Sequence, residues 1–99
     1  MQPSEQDNEG RSPVGQNMVG FVIIGAFFMW TDNAWAVIGR SQDRIDGNNH
    51  GPYVAWTAYH REDRWGFYHG AYGDLRTAIE GFNTKVSLHE AAKKYTPRV

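Results

Sequence analysis

The stretch that most limits what this chain can become is Tyr53–Tyr72, YVAWTAYHREDRWGFYHGAY. It holds seven of the fourteen aromatic residues in twenty positions. Two runs of strand-forming residues flank Glu62-Asp63, so the stretch reads as a β-hairpin with a two-residue turn. That turn places Arg61 opposite Arg64, His60 opposite Trp65 and Trp56 opposite His69. Side chains alternate faces along a strand. One face then carries Val54, Trp56, Ala58, His60, Trp65, Phe67, His69 and Ala71. The other carries Tyr53, Ala55, Thr57, Tyr59, Arg61, Arg64, Tyr68 and Tyr72.

The chain ahead of the hairpin supplies a second strand pair. Met18–Trp30, MVGFVIIGAFFMW, is apolar on both faces and too short for a membrane helix, which needs about twenty apolar residues. As a soluble helix it would carry Gly20 and Gly25 inside it, each costing about 1 kcal/mol against Ala. It reads best as a covered strand, with Gly25 marking a bulge or bend. A small membrane-anchored protein held through residues 18–30 is the weaker alternative. Thr31-Asp32-Asn33 is a polar turn, and Ala34–Arg40 is the partner strand. Ser41–Pro52 is a loop of turn-forming residues. Asp43, Asp46 and Asn48 in it lack the alternate spacing and closing Glu of a calcium loop. Residues 1–17 are acidic and rich in Pro, Gly, Ser and Gln, a composition that reads as a disordered tail. Their acidic start is unlike a signal peptide.

After the hairpin, Asp74 can cap a helix. Leu75, Ala78, Ile79, Phe82 and Val86 share one helical face suited to cover the Trp56 and Phe67 side of the sheet. Ser87 and Glu90 have capping-box spacing for a second, short helix. The expected fold is therefore α+β: a four-stranded antiparallel sheet of two hairpins, one helix packed on a face and a short C-terminal helix. The expected division is a tail over 1–17, one domain over 18–86 and a terminal helix and tail over 87–99.

With Trp56, Trp65 and Phe67 covered, six residues would remain open: Tyr53, Tyr59, Arg61, Arg64, Tyr68 and Tyr72. Tyrosines interleaved with arginines suit stacking and anion contacts, and both residue types are enriched at protein interfaces. The partner expected on these grounds is a macromolecule, protein or single-stranded nucleic acid. A formal net charge of −1 gives no global basic field for the latter. A twice-apolar strand at a sheet edge is an aggregation hazard, which a homodimer would relieve. A small-molecule-binding protein or small enzyme is a further alternative, but no spacing selects a reaction. Neither a catalytic constellation, a metal-ligand set nor a cofactor motif can be drawn. The chain has no cysteine, which suits a reducing, cytoplasmic setting. The layout of a short acidic chain, an aromatic hairpin and a trailing amphipathic helix resembles small proteins of phages and mobile elements. That resemblance implies binding to one host protein or nucleic-acid complex, for example as an inhibitor of a bacterial defence complex.

Overall fold

The computed structural model describes residues 8–42 and 52–96, and within them the side chain of His69 is not described. The protein is α+β. The strands are β1 (Asn17–Met18), β2 (Phe21–Met29), β3 (Ala34–Ser41), β4 (Tyr53–Arg61) and β5 (Arg64–Gly73), followed by one helix, α1 (Leu75–Ala92). They form a single antiparallel meander in the order β1-β2-β3-β4-β5. Four of the strands are those expected. The fifth, β1, is a two-residue addition on the outer edge of β2. The apolar run from Met18 to Trp30 lies in strands and turns rather than in a helix. Among the described residues, no helix is long and apolar enough to cross a membrane. The calcium reading of Asp43, Asp46 and Asn48 falls outside the described residues.

Both tight turns use left-handed backbone. Glu62 and Asp63 sit at φ 54° and 62°, closing the hairpin with Arg61 opposite Arg64 and His60 opposite Trp65, as expected. The β1–β2 turn puts Val19 at φ 44°, a conformation that costs a β-branched residue about 1–2 kcal/mol. Val19 is 72% exposed, so no burial offsets that cost. Val19→Asn is expected to raise stability by about 1 kcal/mol in urea unfolding, with the slope unchanged.

Two register shifts decide which side chains share a face. In β2 the pairing slips between Ile23 and Gly25, leaving Ile24 as the extra residue. This is where the glycine signalled a bulge. In the hairpin the pairing slips between Ala55 and Thr57, so His69 and Gly70 together oppose Trp56. The expected register had no such slip. Its consequence is that Tyr72 lies opposite Val54, on the Trp56 face, and Ala71 lies opposite Ala55.

The helix also takes the other face from the one expected. On one face of the sheet the cross-strand rows Gly25, Ile38, Ala55 and Ala71, then Phe27, Ala36, Thr57 and Tyr68, place the small residues Ala36, Ala55, Thr57 and Ala71 side by side. α1 lies in this trough. A Cβ added at Gly81 would stand 3.0 Å from the Ala71 Cβ and 3.3 Å from the Ala55 Cβ, so the helix backbone nearly touches the strands. Ala78, one turn earlier, is fully buried. The predicted apolar stripe is rotated aside: Leu75 and Ile79 are exposed, and Phe82 and Val86 are half-buried. Ser87 starts no new helix, since α1 runs unbroken to Ala92. The single cap is at Asp74, whose carboxylate accepts from the Thr77 amide at 2.9 Å.

That amide, aided by the Thr77 side chain, holds the Asp74 carboxyl below its usual pKa. A depressed carboxylate stabilises the fold above its unfolded pKa and loses that contribution as pH falls through the folded one. Asp74→Ala is therefore expected to melt earlier than the wild type at neutral pH. The gap between the two melting temperatures should close in acid.

The main core lies on the opposite face. Met18, Phe21, Ile23, Val37, Val54, Trp56 and Ala58 are buried there, with Ala26, Trp35, Trp65 and Phe67 packed against them. Residues 8–16, assigned to the tail by composition, are held against this core. Asn8 takes its amide to the Asn33 side chain (2.9 Å), accepts from Trp35 Nε1 (2.8 Å), and accepts the His60 amide on its own side chain (2.7 Å). Pro13 is fully buried, and Gly15 and Gln16 pair with the backbone of Ile23.

Candidate functional site

The six residues singled out by sequence do not stay together. Tyr53, Tyr59, Arg61, Arg64 and Tyr68 share the face on which α1 lies, and Tyr72 is on the reverse. Tyr72 instead lies over the rim of the core, still 39% exposed: its hydroxyl accepts from Trp56 Nε1 at 3.2 Å, and its ring meets Trp56 and Phe21 edge-on. Tyr53 sits at the opposite end of the hairpin from the turn, paired with Gly73 just before the helix starts. An open stacking platform along the whole face is therefore absent, because α1 crosses its middle.

Four residues do converge near the hairpin turn. The Tyr59 and Tyr68 rings are 5.9 Å apart, tilted by 58°. The Arg61 guanidinium lies 5.7 Å from the centre of the Tyr59 ring, within cation–π range. Arg64 stands directly across from Arg61. Tyr59 folds over Gly66, where a Cβ would be 2.5 Å from the ring, so no larger residue fits beneath it. Like charges directly opposite on a sheet are unfavourable, and here both arginines point to solvent without an ion pair among the described residues. Burial first, then the charge of Asp32 and the neighbouring Tyr59, raise the Tyr68 phenol above its usual pKa, so it is a neutral donor at physiological pH.

A hollow of about 510 Å³ beside this cluster is lined by Asn8, Asp32, Asn33, Tyr59, His60, Arg61 and Tyr68. A larger cleft, about 780 Å³, runs between α1 and the sheet. Its floor includes Met29, Thr57 and Ala71, and its helix wall includes Gly81, Thr84, Lys85, Leu88 and His89. Thr31 and Asp32 close the end toward the β2–β3 turn, and Tyr68 belongs to both hollows.

Sequence reasoning missed Asn8, Lys85 and His89. Asn8 gave no signal within a polar stretch. Lys85 and His89 lie one helical turn apart, and neither belongs to the apolar stripe of Leu75, Ala78, Ile79, Phe82 and Val86. His89 is in fact 3% exposed, and neither ring nitrogen has a hydrogen-bond partner among the described residues. Its ring is packed edge-on against Phe27 at 5.8 Å and Trp30 at 5.6 Å. Two unpaired buried nitrogens are costly, so His89→Phe, which keeps both ring contacts, is expected to raise stability by about 1–2 kcal/mol. Thermal unfolding of the two proteins checks it.

Among the described residues, no group of three His, Cys, Asp or Glu side chains could hold a metal ion. No protein-family model, no curated protein and no solved structure matches the chain.

Proposed function

We propose that the protein is a non-catalytic binding module whose contact surface is the cluster of Tyr59, Arg61, Arg64 and Tyr68 beside the hairpin turn, and that its partner is another protein. The observation that carries this reading is the convergence of two tyrosine rings and two solvent-facing arginines at the end of the face that α1 leaves uncovered. Tyr and Arg are the residue types most often found at the energetic centre of protein interfaces. The cross-strand arginine pair costs the free protein something that an acidic partner group would offset. A nucleic-acid partner is less well supported, because Glu62 and Asp63 form the turn between the two arginines and the chain as a whole is slightly acidic.

The test is a photo-cross-linking amino acid placed at position 68, used in the native host. One protein partner should be captured, and Tyr59→Ala with Arg61→Ala should abolish the adduct while leaving the melting temperature within a few degrees. Capture of nucleic acid, with affinity falling steeply as salt rises, would replace the protein reading. An adduct indifferent to Tyr59 and Arg61 would remove the surface from consideration.

Self-association is supported by a separate observation. Among the described residues, pairing on the outer edge of β2 stops at Ile23, so Gly25–Met29 offers open backbone groups beside the exposed Ile24. We propose that two copies pair along this edge. Light scattering should give twice 11.3 kDa, and a monomer at that mass would end the proposal.

A further inference from the structure

We propose that the cleft between α1 and the sheet is a binding site for a small molecule with an apolar body and an acidic group, seated with that group at Lys85.

Three observations converge on it. The cleft has the size of known ligand sites, which run to roughly 300–1,000 Å³. Its surface is mostly apolar, from Met29, Ala71, Gly81, Leu88 and Ala92, with a few polar side chains at set points, the composition that such sites share. The second observation is Lys85. Its side chain is half-buried in the cleft wall and has no carboxylate within ion-pair distance among the described residues. Burial alone lowers its pKa, so the ammonium is partly desolvated without receiving a counter-charge. The third is His89, one turn further on the same side of the helix. A buried ring with both nitrogens unpaired is a cost that packing does not recover. Such unpaired groups gather where a protein holds a site ready for something else.

These features give the cleft a direction. Lys85 and His89 mark its helix wall, Tyr68 and Thr57 line it from the sheet, and Asp32 lies toward the β2–β3 turn. An acidic group beside Lys85 completes the missing ion pair in a partly dry setting, where charge-assisted hydrogen bonds are strongest. Its apolar body then covers Ala71, Gly81 and Leu88. Asp32 disfavours a second acidic group at the turn end, so the ligand carries its negative charge at one end. The site goes beyond the hairpin-turn surface and uses neither Arg61 nor Arg64.

The experiment compares two fluorescent probes of nearly the same shape on the full chain. One is 8-anilinonaphthalene-1-sulfonate, an apolar body with one sulfonate. The other is N-phenyl-1-naphthylamine, the same body without it. The sulfonate probe should bind the wild type more tightly. Lys85→Gln should weaken it about tenfold and leave the neutral probe unchanged. Ala92→Trp, which fills the cleft, should abolish both, and Thr84→Trp repeats that test if the first variant unfolds. Near-ultraviolet circular dichroism confirms that each variant retains its packing. Failure of both probes to bind the wild type would overturn the proposal. So would equal weakening of both by Lys85→Gln, or binding that survives both cleft-filling variants.

Discussion

Trp56→Ala is expected to lower stability by about 3–5 kcal/mol, the cost of truncating a fully buried large aromatic residue. Trp56 is 1% exposed, and its indole does three things at once. It stacks on Phe67 at 4.1 Å with the planes 21° apart. It meets Phe21 edge-on at 5.4 Å. It also donates its N–H to the Tyr72 hydroxyl at 3.2 Å, which pays the polar cost of burial. Removing it opens a cavity in the cluster that joins β2, β3, β4 and β5, and leaves one face of Phe67 unpacked. A domain of this size is held by only about 5–15 kcal/mol, so the variant should lose a large share of its margin. The midpoint of urea unfolding reads this directly. A loss under about 1 kcal/mol would mean that Trp56 is not at the centre of the core.

Gly81→Leu is the second large effect, expected to cost about 1–3 kcal/mol or more through overpacking. The position leaves little room, because the added carbon stands 3.0 Å from the Ala71 Cβ and 3.3 Å from the Ala55 Cβ, which move only with their strands. The helix must lift from the trough. The opposite result is expected at Ile79→Ser. Hydrophobic periodicity assigns Ile79 to the core, yet it is 40% exposed, so its replacement should change stability by no more than about 0.5 kcal/mol. The pair separates a helix seated by small residues from one seated by its apolar stripe. Reversed magnitudes would show that α1 turns Leu75, Ile79 and Phe82 toward the sheet.

That contrast explains which parts of the fold were legible in the residues. Strand positions followed from β-branched and aromatic runs, the Glu62-Asp63 turn from the symmetry of the flanking runs, and the β2 bulge from Gly25. The helix start followed from Asp74. Two events were not legible, and each moved functional candidates. A bulge adds one residue to one strand, and in FYHGAY its only mark is Gly70. That single insertion carried Tyr72 from the tyrosine face to the side of Trp56. The choice of face was decided by size rather than hydrophobicity. Ala55, Ala71, Ala78 and Gly81 let helix and sheet approach closely, whereas Trp56 and Phe67 would have held them apart. Once α1 takes the tyrosine side, the aromatic side needs other cover. Residues 8–16 contribute to it, anchored by Asn8 at one end and by Gly15 and Gln16 at the other.

The candidate site changed accordingly. A six-residue platform became a four-residue cluster at the hairpin turn and a cleft beside the helix, joined by Tyr68. Ser87 and Glu90 have the spacing of a capping box, but the chain already stands in a helix that continues to pack, and continuing costs less than a new nucleus. Lys85 and His89 are thereby carried into the cleft on the same turn-to-turn line as Ala78.

All of these conclusions depend on which face of the sheet α1 covers. Nuclear Overhauser contacts in the isotope-labelled chain measure it most directly. Cross-peaks from the Gly81 α-protons to the methyl groups of Ala55 and Ala71 are the predicted result. Cross-peaks from Ile79 or Phe82 to the rings of Trp56 and Phe67 would contradict it, returning the helix to the aromatic face and leaving the tyrosine face open along its full length.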